Sequence, residues 1–254
     1  MDIQTYLGRI DFNEPVRPDV ETLKGLHRAH MLAVPFENLD IIPLHRPIKL
    51  DESSLWDKIV LRRRGGFCYE LNGMFAWLLK QVGFIVTYLD ARVFNRDGVL
   101  GIDFDHLTLL VSVPGEPGRW LADVGFGDSF VEPLNFEEKG GQVQGLRTYR
   151  LEQTPDGVVL WQRNYEGSWK REYYFDLQPR QFPSNFKSAC AYHQTSPKSH
   201  FTHNSMISVA RIDGRVSLEE HELIVTKNGG KSRVPVGDAR EYNVLLKEHF
   251  GVVL

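Results

Sequence analysis

Through the first third of the chain, apolar residues recur every three or four positions. Val20, Leu23, Leu26 and Met31 trace one face behind Pro18-Asp19 and stop before Pro35, which predicts a helix. Leu55 and Ile59 mark the inner side of a second helix over 52–60. A third begins at Cys68: Leu71, Phe75, Leu78, Leu79 and Val82 keep the helical period, and Gly83 follows where a helix stops. From Phe84 the pattern changes to strands. Ile85–Leu89 and Ala91–Phe94 lead to an Asn95-Arg96-Asp97-Gly98 turn, and two runs from His106 and Arg119 flank a Pro114–Gly118 loop. Segments 148–153 and 158–163 enclose Thr154-Pro155-Asp156-Gly157, a hairpin signature. These strands predict a small antiparallel sheet or barrel, with 125–145 as a long glycine- and acid-rich loop. Beyond Pro179 the pattern is irregular. It then gives two or three strands with an Asp213-Gly214 hairpin and a final helix over 236–250.

Composition narrows the setting. The chain has 254 residues, 42% apolar and 25% charged, enough for a substantial core. A net charge of −3 leaves no footprint for nucleic acid or a membrane surface. The N-terminus lacks a basic stretch followed by an apolar one, so no signal peptide is expected. The longest apolar run, near 107–113, is well short of the about 20 residues that span a bilayer. Two cysteines, Cys68 and Cys190, make no disulfide framework, and a cytoplasmic protein with reduced thiols is expected.

The candidate chemistry gathers around Cys68. It follows Arg62-Arg63-Arg64-Gly65-Gly66-Phe67 and opens a helix, where free backbone N–H groups and the helix dipole favour a thiolate. The arginine run is most often a solvated helix end; beside the thiol it adds positive charge. A nucleophilic thiol needs a base and a group that orients the base. His106 starts one strand and Asp123 ends the next, so antiparallel pairing puts both on one sheet edge. An imidazolium partner can bring a cysteine pKa down to about 3–4. The plain readings are a buried apolar cysteine for Cys68, and turn chemistry for Asp123. Cys190 and the eight other histidines read as core or surface residues, and His200 and His203 lack companion ligands for a metal.

Taken together, Arg64-Gly65-Gly66-Phe67-Cys68-Tyr69-Glu70-Leu71-Asn72, His106–Val111, Asp123-Val124-Gly125-Phe126-Gly127 and the upstream Val34-Pro35-Phe36-Glu37-Asn38-Leu39 resemble the arylamine N-acetyltransferase family, in its prokaryotic form. The resemblance implies an α+β fold in three parts. A helical bundle over 1–83 carries the nucleophile, a central antiparallel β-barrel over 84–190 carries histidine and aspartate, and an α/β lid covers 191–254. The first two parts form a papain-like cysteine core. It further implies acetyl transfer from acetyl-coenzyme A to arylamines, arylhydroxylamines or hydrazines by a ping-pong route, with no metal. Cys68 is then the acetyl carrier, His106 the base and Asp123 its orienter. Gly125, Gly127 and Thr108 are assigned to the coenzyme, and Phe36, Phe126 and Phe201 to an aromatic acceptor pocket. Two other readings compete: a different thiol acyl transfer on the same triad, such as an amide synthase or a transglutaminase-like enzyme, and a non-catalytic binding scaffold.

Overall fold

A computed structural model describes residues 1–164 and 167–254. Its first element, α1 (Ile3–Arg9), is a helix that the sequence pattern did not predict. Seven residues cannot sustain a helix alone; tertiary contacts hold it. Tyr6, Leu7 and Ile10 enter the core, and the buried Arg9 guanidinium donates to the carbonyls of Ile59, Ala33, Arg63 and Arg64. One side chain therefore ties the N-terminus to three later segments. α2 (Val20–Ala33) matches its expected span, with the Asp19 carboxylate accepting from the Thr22 amide as N-cap. β1 (Phe36–Glu37) follows, then α3 (Glu52–Leu55), which widens into a π-helical turn over Trp56–Leu61. α4 (Cys68–Val82) is buried on nearly every face up to Leu79 and forms the axis of the largest apolar cluster.

The middle of the chain supplies β2 (Ile85–Val93), β3 (His106–Ser112), β4 (Arg119–Ala122), β5 (Leu134–Asn135), β6 (Gln142–Gln144), β7 (Arg147–Gln153), β8 (Val158–Asn164) and β9 (Trp169–Phe175). They form one antiparallel sheet in the order β5-β4-β3-β2-β9-β8-β7-β6 that curls into a nearly closed barrel. Three details depart from the sequence pattern. β2 is one strand rather than two, because Asp90 continues the ladder while its carboxylate accepts from the Phe104 amide. β9, which pairs with both β2 and β8, has no strong alternation to announce it. The expected loop over 125–145 contains β5 and β6, the two ends of the sheet. These ends are joined by side chains. Gln142 accepts from the Asn135 amide and donates to the Asn135 carbonyl, while Gln144 accepts from Val131 and Glu132 and donates to Glu132. Two primary amides thus stand in for the missing ladder and leave few unpaired edge groups.

The C-terminal part holds α5 (Lys187–Thr195), four strands and α6 (Ala239–Phe250), so the stretch after Pro179 is more ordered than its composition suggested. β10 (Met206–Arg211), β11 (Gly214–Glu219), β12 (Glu222–Lys227) and β13 (Gly230–Pro235) form a meander, four strands where two or three were expected. β1 adds to its edge, pairing Phe36 with Ser208. Phe36 also bridges to Gly66, so this graft ties the C-terminal sheet to the turn before Cys68. No helix among the described residues is long and apolar enough to cross a membrane.

The glutamine seam gives a stability prediction. Gln144→Ala removes one acceptor and one donor that together serve three backbone groups, and should cost about 1–3 kcal/mol in urea unfolding. An unchanged midpoint would show that the seam carries no closure energy.

Candidate active site

Cys68 is the first residue of α4, directly after Phe67. The turn that delivers it is tight. A Cβ at Gly65 would lie 1.9 Å from the Pro35 carbonyl oxygen, so only glycine lets the Arg64–Gly66 strand run against β1. The Glu37 amide donates to the Gly66 carbonyl at 2.9 Å, and the Glu70 carboxylate accepts from the Phe67 amide at 3.1 Å. Beneath this turn lies a buried charge cluster. Arg64 forks onto Glu37 at 2.7 and 3.0 Å; Lys58 reaches Asp40 at 2.7 Å and Glu70 at 2.8 Å. Arg64 is therefore no solvated helix end. The cluster holds three carboxylates against two cations. Burial and the neighbouring carboxylates push Glu70 up to about 7 despite Lys58 beside it.

His106 and Asp123 meet. Leu109 pairs with Ala122 across β3 and β4, which sets the start of one strand beside the residue following the other. His106 Nε2 lies 2.7 Å from Asp123 Oδ2, and both side chains are buried. Asp123 is completely enclosed, and its carboxylate takes four donors. Oδ2 also accepts from the Tyr173 hydroxyl at 2.9 Å; Oδ1 accepts from Asn72 Nδ2 at 2.8 Å and the Gly125 amide at 3.0 Å. These fill the acceptor sites a carboxylate offers, and they hold Asp123 ionised, below the usual range, against its burial. The Asp123 amide donates to His27 Nε2 at 3.0 Å, and His27 Nδ1 faces the Val131 carbonyl at 2.8 Å. That pair of contacts fixes the Nδ1–H tautomer, and burial lowers His27 to about 4, keeping it neutral. With Nε2 taken by Asp123, Nδ1 is the nitrogen of His106 left for a thiol.

The surroundings of Cys68 differ from expectation in one respect. The sulfur is within reach of the Leu107 backbone amide, one residue beyond His106. Burial nevertheless pushes the thiol well up, and Asp105 and Asp123 add to the rise. At Cys68, desolvation opposes the effect of the helix N-terminus and favours the neutral thiol.

The remaining predicted positions divide. Gly125 sits against the cysteine, because a Cβ there would lie 2.8 Å from Cys68 Cα and 2.7 Å from Asn72 Nδ2. Its amide donates to the Asp123 carboxylate and belongs to that frame. Thr108 is likewise enclosed, with its hydroxyl 3.4 Å from that of Tyr173. Gly127 lies against the Phe36 ring. Phe36 and Phe201 come together at 6.2 Å between ring centroids, and Phe201 meets Phe67 edge-on at 5.7 Å. Phe126 packs instead on His106 at 5.2 Å and Tyr173 at 5.0 Å. Tyr173 and His27 were missed from sequence. Neither stands in a motif, and β9 and α2 carry no local sign that they converge on Asp123.

The comparisons with known proteins bear on this arrangement. A family model described as N-acetyltransferase matches residues 19–254. The arylamine N-acetyltransferase of Mycobacterium tuberculosis is 35% identical over 257 residues, covering 99% of this chain and 89% of that one. The chain belongs to the arylamine N-acetyltransferase family. It is an acyltransferase of that family, and the fold agrees. The solved structure of the Mycobacterium smegmatis arylamine N-acetyltransferase superposes with a TM-score of 0.92 at 34% identity, covering 99% of this chain and 92% of that one. The Mycobacterium marinum arylamine N-acetyltransferase, solved in complex with CoA, gives 0.91 at 33% identity, with 98% and 92% covered.

The charge cluster under Cys68 predicts a pH dependence. Glu70 titrates near 7 in the folded protein against an ordinary 4.5, so the native state keeps a proton that the unfolded chain has released. This contribution to stability is full below about 4.5 and is lost as pH rises through 7. Urea midpoints of Glu70→Gln should therefore decline less than wild type between pH 5 and 7.5. Parallel declines would place the proton elsewhere.

Proposed function

We propose that this acyltransferase carries acetyl groups from acetyl-coenzyme A to arylamines, arylhydroxylamines or hydrazines on Cys68, by a ping-pong route, in a reducing cytoplasm. The observation that carries the proposal is the four-donor clamp on Asp123, which holds His106 by Nε2 and leaves Nδ1 for the thiol. In the first half-reaction the Cys68 proton passes to His106 Nδ1 and the sulfur attacks the thioester carbonyl. The carbon–sulfur bond to coenzyme A breaks, and the departing thiolate takes the proton from His106. In the second, the amine nitrogen attacks acetyl-Cys68, His106 collects the nitrogen's proton, and the Cys68 sulfur leaves and is reprotonated.

Asp123 offsets the imidazolium charge in both halves without taking a proton itself. This matters because the thiol is buried, where an uncompensated charge would be costly. The amides of Cys68 and Tyr69, at the open N-terminus of α4, find no acceptor among the described residues and are the donors we assign to a tetrahedral oxyanion. Such donors are worth about 3–4 kcal/mol in acyl transfer. Gly127 supplies a backbone approach for the donor's phosphates. Phe36 and Phe201 offer the acceptor ring edge and face contacts, with Phe126 closing the side next to His106.

Intact-mass spectrometry tests the central step. Acetyl-coenzyme A alone should add about 42 Da, one acetyl group, and an arylamine should remove it. Cys68→Ala should take up nothing, and a wild-type protein that stays unmodified would sink the proposal. His106→Asn should slow iodoacetamide alkylation of Cys68 near neutral pH by about tenfold or more, and Asp123→Asn should act in the same direction through the wrong tautomer. A rate unchanged in both variants would mean that the histidine does not serve the thiol.

A further inference from the structure

His193, on α5, is almost fully buried and has no part in the chemistry above. Its ring reaches two ways. Nε2 lies 3.0 Å from Asp105 Oδ1, an approach too bent for a hydrogen bond but close enough for charge contact. Nδ1 lies 3.2 Å from Ser199 Oγ. Ser199 in turn accepts from the Phe201 amide at 3.3 Å and caps the short 3-10 turn over His200–Thr202. The His193 ring also meets the edge of Phe201, 5.4 Å between centroids at 85°, and lies beside Tyr69.

The two ends of this link are unequal. Asp105 immediately precedes His106, and its segment is held without His193. Its Oδ2 accepts from the Val93 amide at 3.2 Å, and the Phe104 and Asp105 carbonyls accept from the Tyr69 hydroxyl at 2.7 and 3.0 Å. The Phe201 turn is held mostly by its own neighbours, Ser196 and Ser199. Beyond His193, its hydrogen bonds to the rest of the fold run through Asn38 Nδ2, which donates to the Phe201 carbonyl at 3.0 Å and the Asn204 carbonyl at 2.9 Å. Ser199, His193 and Asp105 stand in the order of a hydrolase triad, yet Ser199 is 2% exposed and its oxygen already caps the turn. A buried, committed hydroxyl serves as a strut and not as a nucleophile.

We propose that His193 is a positioning residue for the acceptor half-reaction: it braces the Phe201 turn against the rigid segment that carries His106, and so fixes the aromatic wall on which the acceptor ring rests. The inference builds on the acetyl-transfer function proposed above. Placement of an acceptor within reach of an acyl group tolerates little slack, because a displacement of about 1 Å can cost on the order of a hundredfold in rate. The donor half-reaction depends on Cys68, His106 and Asp123; His193 bonds to none of the three, and the Asp105 segment it meets is held by Val93 and Tyr69, so the two halves respond differently to its loss.

The test separates the half-reactions. Quenched-flow mass spectrometry gives the rate of Cys68 acetylation by acetyl-coenzyme A without acceptor; steady-state kinetics with an arylamine such as 4-aminobenzoate give KM and turnover. His193→Leu should raise the arylamine KM about tenfold and slow deacetylation severalfold, while acetylation stays within about twofold. His193→Gln, whose amide can still meet Ser199, should recover most of the loss. Ser199→Ala, a smaller change, should raise KM in the same sense, and it decides the matter if His193→Leu does not fold. Equal losses in both halves, or an unmoved KM, would overturn the role of His193. Wild-type protein that fails to acetylate would overturn the acetyl-transfer function instead, so the two failures are distinguishable.

Discussion

An ionised carboxylate with no access to water is tolerable only when the protein replaces its hydration shell, and Asp123 shows how completely this is done. Four donors from four segments converge on it: Asn72 from α4, His106 from the start of β3, Tyr173 from β9 and Gly125 from its own turn. Removing one donor would leave a buried charge partly bare, at a cost of about 1–3 kcal/mol or more. Helix, barrel and turn are thereby constrained to a single relative arrangement. The geometry that suits acyl transfer and the geometry that satisfies the carboxylate are the same geometry.

A second buried cluster carries the turn before Cys68, by a different electrostatic design. Glu37, Asp40 and Glu70 outnumber Lys58 and Arg64, and burial with the neighbouring carboxylates pushes Glu70 up to about 7. Asp123 must stay charged, whereas this cluster gains from being partly neutral. Cys68 follows the turn that the second cluster carries, and its thiol is pushed up by burial first and by Asp105 and Asp123 after that.

Much of this was legible in the sequence, for a physical reason. His106 and Asp123 each lie at the end of a strand, so antiparallel pairing places both on one sheet edge, while periodicity gave Cys68 only its place at the start of a helix. The α2 and α4 spans followed from spacing, caps and Gly83. What stayed hidden is long-range. Tyr173 is fifty residues from Asp123, and His27 ninety-six. No local pattern states that β9 will pair with β2, or that a histidine in α2 will accept from an amide beyond β4. Nor does a local pattern tell that Thr108 will be enclosed beside Tyr173, or that the Gly125 amide will donate to Asp123.

The side-chain seam of the barrel is wired to this centre. Gln144 accepts from the Val131 amide, the Val131 carbonyl meets His27, and His27 accepts from the amide of Asp123. Side-chain amides swing free more easily than a backbone ladder unzips, so the seam is the natural line along which the barrel breathes. An opening there would release Val131, free the His27 ring to change tautomer, and bare the Asp123 amide to solvent. The exchange of one amide proton at the heart of the site thus becomes a gauge of how tightly the far wall of the barrel is shut.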